Sequence, residues 1–275
     1  MLTAVLVLGG AGLLLGVGLA VAAAKMAVPV DERVAAVRDR LPGANCGACG
    51  FPGCDGLAAA LVKGEAKPDA CKAGGPAVAA AVAEVLGLEV TTGQRQVAAV
   101  HCVGTNQAAR RSYQYQGISD CRAAALMPGG GPKACAYGCL GLGTCVKVCP
   151  FGALSMNEET GLPVVDREKC TACGICTETC PKGILGLVPV SQTTLVACRN
   201  HDKGPQVRKV CQAGCLACGL CVRSCPHKSI ALVDNTAVID PSTCESCGIC
   251  AEKCPPKTIV MLTALGSGES LRKAI

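Results

Sequence analysis

Tryptophan is absent from this 275-residue chain, and only 2 Phe and 3 Tyr accompany the aliphatic side chains. The large rings that dominate burial in ordinary cores therefore contribute almost nothing, and something else must organise the fold. Charge is missing too, since residues 1–24 hold no Asp, Glu, Lys or Arg. The formal charge of +6 is dispersed, with no long Lys/Arg run and no aromatic interleaving. That disfavours nucleic acid as a partner, because single strands bind by stacking on rings above a basic groove. No Gly-x-Gly-x-x-Gly follows a strand pattern, and Gly9-Gly-Ala-Gly12 lies inside the apolar run, so no nicotinamide site is expected on this chain. The 3 His, at 101, 201 and 227, have no paired metal motif and read as solvated or structural.

Cysteine is what the chain has in excess, with 24 residues. Such density belongs to disulfide scaffolds, zinc proteins or cluster proteins. Disulfide scaffolds are short and secreted, whereas these cysteines crowd into runs such as Cys170, Cys173, Cys176 and Cys180, where neighbouring thiols suit a shared metal centre. Thiolate centres also imply a reducing compartment.

The uncharged start is nearly all Leu, Val, Ala and Gly, long enough for one helix to cross a hydrocarbon core of about 30 Å. We read residues 1–26 as a single transmembrane anchor; a cleaved signal peptide would begin with positive charge, which is missing. Lys25, Arg33, Arg38 and Arg40 follow the run, which places the body on the cytoplasmic side of the cell inner membrane. No acid or base lies within the span, so an ion path is not expected on this chain. Gly9, Gly10, Gly12, Gly16 and Gly18 fit either close packing on partner helices or a merely weak anchor.

The expected fold class is α+β: the anchor, a small helical 4Fe-4S domain (31–92), a connecting region (93–134), two tandem bacterial-type two-cluster ferredoxin modules (135–190 and 191–265) and a tail (266–275). In the small domain, helical spacing over Asp31 to Leu41 runs into Pro42-Gly43, and a second helix is expected from Asp55, as its cap, to Val62. These flank Cys46-x2-Cys49-x4-Cys54 and Cys71, four thiols that can bind a 4Fe-4S cube or a zinc ion. An Ala/Val-rich helix over Ala77 to Leu86 follows, then a stretch of undefined type containing Cys102 and Cys121, up to the loop Pro128-Gly-Gly-Gly-Pro132.

From Cys135 the sequence repeats. Cys211-x3-Cys215-x2-Cys218-x2-Cys221-x3-Cys225-Pro226 overlays Cys135-x3-Cys139-x5-Cys145-x3-Cys149-Pro150, with Leu142 where the second copy has Cys218. Each copy continues through a hairpin pattern, over Ala153 to Asp166 and Ile230 to Asp240, into Cys170-x2-Cys173-x2-Cys176-x3-Cys180-Pro181 or Cys244-x2-Cys247-x2-Cys250-x3-Cys254-Pro255. Zinc sites want two Cys pairs apart in sequence. C-x2-C-x2-C-x3-C-P instead packs three ligands on one loop and sends the fourth to the neighbouring cluster. By that crossover rule Cys215, Cys218, Cys221 and Cys254 form one set, and Cys244, Cys247, Cys250 and Cys225 the next. Cys170, Cys173 and Cys176 take Cys149, while Cys139, Cys145 and Cys180 lack a fourth ligand, for which Cys135 is the expected replacement. With the first domain this makes five 4Fe-4S clusters. Cys102, Cys121, Cys198 and Cys211 remain, enough for a sixth cluster or else buried free thiols, and an exchange between Cys135 and one of them stays open.

Asn45-Cys-Gly-Ala-Cys-Gly-Phe-Pro-Gly-Cys54 and Gly131-Pro-Lys-Ala-Cys-Ala-Tyr-Gly-Cys-Leu-Gly141, in this order behind one apolar helix, give the chain its likeness. It resembles the B subunit of the Rnf electron-transport complex, in a long form with two modules. The resemblance implies an electron-transfer subunit, without a substrate-converting site of its own, of an ion-translocating ferredoxin:NAD oxidoreductase (a translocase). It would take electrons from soluble ferredoxin and pass them toward partner subunits. The rival readings are a membrane-bound polyferredoxin serving a hydrogenase or heterodisulfide reductase, and a zinc-stabilised scaffold. Lys182, Lys228 and Lys257, each just after a Cys-Pro, could steer an acidic ferredoxin or simply be solvated.

Overall fold

The computed structural model describes residues 2–26, 31–89 and 93–262; the expected tail at 266–275 lies outside them. The apolar start forms α1 (Leu2–Met26), with Lys25 in its last turn. Within it Leu13, Leu14, Leu15 and Leu19 are exposed. Among the described residues no helix is long and apolar enough to cross a membrane.

The small domain is three helices, α2 (Glu32–Arg40), α3 (Gly53–Val62) and α4 (Gly75–Leu86). Asp31 caps α2 by accepting from the Arg33 amide at 2.9 Å. The cap expected at Asp55 is displaced: α3 begins two residues earlier, and Asn45 Oδ1 takes the Cys54 amide at 2.8 Å. Asp55 instead sits in the first turn and pairs with Arg38 Nε at 2.8 Å, tying α3 to α2. Val37, Leu57, Leu61 and Val82 interlock beneath Cys54 and Cys71 as a core without tryptophan.

Each downstream module has an outer two-stranded ladder and an inner hairpin. In the first, β1 (Gln96–Val100) lies outside the cysteine repeat, in the stretch left undefined by the sequence. It is followed by α5 (Cys121–Ala125), α6 (Thr144–Lys147), the hairpin β2 (Leu154–Asn157) and β3 (Leu162–Val165), α7 (Ile175–Thr179) and β4 (Leu185–Pro189). β1 pairs antiparallel with β4, Val100 opposite Leu185. The second module runs β5 (Thr194–Val196), α8 (Gly204–Val210), α9 (Leu220–Ser224), β6 (Ile230–Val233), β7 (Thr236–Ile239), α10 (Ile249–Lys253) and β8 (Ile259–Met261), with β5 antiparallel to β8. Both hairpins form where apolar alternation predicts them; Asp234 and Asn235 turn the second with positive φ, as a two-residue hairpin demands.

The modules are stitched together by backbone bonds. The Val103 amide donates to the Ala197 carbonyl at 3.0 Å, and those of Arg110 and Gln212 donate to Val210 and Ala108, both at 2.9 Å. Val260 and Leu262 of the second module pack into the first-module cluster around Val97, Leu162 and Ile184.

Candidate metal centres

The four cysteine loops share one backbone course. Gly143, Gly174, Gly219 and Gly248 cap α6, α7, α9 and α10 in the left-handed region. Two residues before each of them stands Gly141, Ala172, Ala217 or Ser246, again with positive φ. Holding a side-chain-bearing residue there costs about 1 kcal/mol or more, so the turn persists only where other bonds over-determine it. At Gly141 a side chain is also excluded by space, since a Cβ would lie 2.8 Å from the Gly161 carbonyl of the first hairpin.

Four cavities are each lined by four cysteines, and electrostatic proximity brings the other eight together in fours. Cys71 has Cys54, Cys49 and Cys46 as electrostatic neighbours. Cys149, Cys170, Cys173 and Cys176 line one cavity, and Cys215, Cys218, Cys221 and Cys254 another. Cys250 neighbours Cys244, Cys247 and Cys225. The remaining cavities are lined differently from the expected ligand sets. Cys121, not Cys135, lines the cavity of Cys139, Cys145 and Cys180. Asp120 caps α5, and the Cys121 amide donates to Thr144 Oγ1 on α6 at 2.7 Å, which swings this upstream thiol into the place left by Leu142. Cys135 turns the other way. Its thiol accepts from Asn200 Nδ2 at 3.4 Å, and it lines a cavity with Cys102, Cys198 and Cys211.

That last group is built twice over by the repeat. Cys102 and Cys198 each stand two residues beyond the first strand of their module, while Cys135 and Cys211 each begin a C-x3-C. The thiol of Cys102 accepts from the amides of Gly104 (3.4 Å) and Cys139 (3.5 Å); that of Cys198 accepts from Asn200 (3.5 Å) and Cys215 (3.4 Å). The repeated Val-x-Cys, Val100-His-Cys102 and Val196-Ala-Cys198, was the sequence signal for this equivalence. Further thiols accept from the amides of Ala98 (to Cys170) and Ser246 (to Cys244). Such bonds favour anionic sulfur.

Neighbouring groups also meet in series. Cys46 of the small domain neighbours Cys173, Cys176 neighbours Cys145, Cys139 neighbours Cys102, Cys198 neighbours Cys215, and Cys250 neighbours Cys221.

Among the described residues no group of three or more His, Cys, Asp or Glu side chains is placed to hold a metal ion. One observation bears on whether iron–sulfur clusters fit. Lys133 is buried, 3 % exposed. Its Nζ donates to the Gly104 carbonyl at 2.6 Å, and it enters none of the ion pairs of the described residues. An ammonium there is costly unless anions surround it, and it acts on the thiols of Cys139 and Cys211. Burial pushes the thiols of Cys139, Cys176 and Cys198 up to about 12, followed for Cys139 by the charge of Cys102. Metal must therefore displace protons as it binds.

His101 is structural, its Nδ1 on the Val196 carbonyl at 3.0 Å, and burial, ahead of the Arg199 charge, holds its pKa down. His201 sets its ring edge-on to Tyr137, and His227 faces Glu245 at 3.5 Å. Lys182 is half-buried, its Nζ donating to the Ala136 carbonyl at 2.6 Å.

Repeated crossover loops around four-thiol groups define a 4Fe-4S electron-transfer protein. In agreement, a family described as "Putative Fe-S cluster" matches residues 41–73, and one described as "4Fe-4S dicluster domain" matches 133–184 and 214–258. The B subunit of the Na(+)-translocating ferredoxin:NAD(+) oxidoreductase complex of Acetobacterium woodii is 50% identical over 244 residues, 87% of this chain and 73% of the relative. The B subunit of the proton-translocating ferredoxin:NAD(+) oxidoreductase complex of Clostridium ljungdahlii is 47% identical over 84% of this chain and 81% of its own length. The B subunit of the ion-translocating oxidoreductase complex of Methanosarcina acetivorans is 45% identical over 78% and 80%. The chain belongs to the family of B subunits of ion-translocating (Rnf) oxidoreductase complexes, and its function is electron transfer.

Proposed function

We propose that this subunit holds six 4Fe-4S clusters and receives electrons from reduced ferredoxin for delivery to the NAD-reducing and ion-translocating subunits of its complex. The observation that carries this is the partition of all 24 cysteines into six groups of four that adjoin in series. A bound 4Fe-4S cluster supplies a centre that gains and loses one electron. The chain's own residues hold and tune. Thiolates fix position, loop amides donate to sulfur, and Lys133 adds fixed positive charge between two groups. Cys102 and Cys135 from the first module, with Cys198 and Cys211 from the second, make the group that joins the modules, so the series has no gap.

α1 is proposed as a single-pass anchor. Its Leu-rich sequence and terminal Lys25 support that reading, with the basic Arg33, Arg38 and Arg40 keeping the body cytoplasmic. Translocase activity resides in the assembled complex.

The test is iron, acid-labile sulfide and zinc per chain on anaerobically purified protein. Iron near roughly 24 atoms with equal sulfide is expected for six cubes of four. Iron near roughly 20 would remove one group from the series, and zinc without iron would overturn the electron-transfer proposal.

A further inference from the structure

Three threonines line cavities that gather four thiols each. Thr144 sits with Cys121, Cys139, Cys145 and Cys180, and Thr258 with Cys215, Cys218, Cys221 and Cys254. Both spend their hydroxyls within the protein: Thr144 Oγ1 donates to Asp120 Oδ2 at 3.4 Å, and Thr258 Oγ1 to the Ala213 carbonyl at 2.8 Å. Thr171 lines the cavity of Cys149, Cys170, Cys173 and Cys176, and its buried Oγ1 has no partner. The other residues around that cavity, the four thiols aside, are apolar or glycine, Phe151, Leu154, Ile175 and Leu187 among them. A buried hydroxyl without an acceptor is costly, and the side-chain acceptors this cavity offers are sulfurs.

The same loop carries a buried cation. Arg167, three residues before Cys170, is 9 % exposed. Its Nη2 donates to the Val190 and Gln192 carbonyls at 2.8 and 3.3 Å, while Nη1 is buried without a partner. It enters none of the ion pairs of the described residues. The start of the first module clamps this loop: Arg95 donates to the carbonyls of Arg167 and Glu168, both at 3.0 Å, and the Ala98 amide donates to Cys170 Sγ at 3.3 Å. The second module differs at both positions. Val165-Asp-Arg-Glu-Lys-Cys170-Thr171 aligns with Ile239-Asp-Pro-Ser-Thr-Cys244-Glu245, so the exposed Pro241 replaces Arg167 and the exposed acid Glu245 replaces Thr171.

We infer that Thr171 sets the redox order of two equivalent centres: its hydroxyl donates to sulfur at the Cys149, Cys170, Cys173 and Cys176 centre and, aided by Arg167, makes that centre easier to reduce than its counterpart at Cys225, Cys244, Cys247 and Cys250. The inference rests on the proposed electron-transfer role and adds which of the two fills first. Reduction adds one negative charge. A hydrogen bond to sulfur and a buried cation stabilise that charge, whereas the Glu245 carboxylate opposes it at the counterpart. An electron shared between the modules therefore comes to rest in the first, the centre that gives it being oxidised by one and the Thr171 centre reduced by one. The hydroxyl keeps its proton throughout, and no bond changes place.

The experiment is an anaerobic redox titration of the cluster-loaded full chain in detergent, followed by low-temperature paramagnetic resonance, with iron analysis of every sample. The two signals are assigned by their loss in Cys173→Ala and Cys247→Ala. In the wild type the Cys173 centre should reduce first. At its wild-type midpoint, Thr171→Val should lower the ratio of reduced to oxidised centres about fivefold, and Thr171→Ser, which returns the hydroxyl, should restore it. Thr177→Val is the control, since that hydroxyl already donates to the Gly174 carbonyl at 2.6 Å. Thr171→Ala takes the place of the valine variant if valine costs iron. The inference is overturned by the reverse order in the wild type, an unchanged midpoint in Thr171→Val, no restoration by serine, or an equal shift in Thr177→Val. Loss of about four iron atoms in both the Val and Ala variants would make the hydroxyl structural and overturn it too. All of these spare the electron-transfer role, which only a wild-type chain without iron would overturn.

Discussion

The first and second modules are two versions of one unit, and the first is the more enclosed. Its hairpin keeps Leu154, Leu162 and Val165 inside, at 0 % exposure for Leu162, while the second hairpin leaves Leu232, Val233 and Val238 exposed. The difference follows from what each unit must touch. The first is packed on by Leu195, Val260 and Leu262 of the second module, which join its own core cluster. Similar loop chemistry is therefore set in two different degrees of enclosure.

The largest effect that would break this comparison is loss of a whole centre. Cys121→Ala should lower iron by about four atoms per chain, as one 4Fe-4S cube disappears. Adding Leu142→Cys, which gives the first loop the spacing of the second, should restore them. The same addition should not rescue Cys135→Ala, because that thiol serves the group between the modules. Iron analysis decides both, and rescue of Cys135→Ala would reinstate Cys135 beside Cys139.

Packing gives the next effect. Leu162→Ala removes a fully buried side chain and should cost about 2–5 kcal/mol of stability in the cluster-loaded chain. Val238→Ala, on the open hairpin of the second module, should stay within about 0.5 kcal/mol. Thermal melts under anaerobic conditions compare them, and equal losses would mean that the second hairpin is covered in solution.

The smallest effect is electrostatic. Lys133 and Lys209 hold equivalent positions two residues before Cys135 and Cys211, but Lys133 is buried and Lys209 exposed. Lys133→Met should shift the midpoint potential of an adjoining centre to lower values, since a fixed positive charge favours the reduced form. Lys209→Met should leave every potential in place, because its charge is already screened by water. Redox titration followed by paramagnetic resonance reads both.

Much of this was legible in the cysteine spacing, because three ligands on one tight loop leave little freedom for where they go. The crossover proposed for Cys149, Cys225 and Cys254 follows from that spacing, and both hairpins were visible in the apolar alternation. The outer ladders were not. β1 pairs with β4 across 85 residues, from Val100 to Leu185, and a short run such as Val97-Ala-Ala-Val100 is too brief to declare itself without its partner. Cys121 and Cys135 were exchanged because spacing favours the nearer thiol, whereas the cap at Asp120 and the bond to Thr144 that bring Cys121 into place depend on tertiary contact. The start of α3 escaped for a similar reason, as Asn45, eight residues before the helix begins, accepts from the Cys54 amide in its first turn.

The group between the modules takes two thiols from each, and this dictates the order in which the protein can be completed during synthesis. When the first module leaves the ribosome, Cys102 and Cys135 have no partners from the second, and they must wait as free thiols until Cys198 and then Cys211 emerge. The junction can thus close only once the start of the second module has emerged, which makes each half wait on the other.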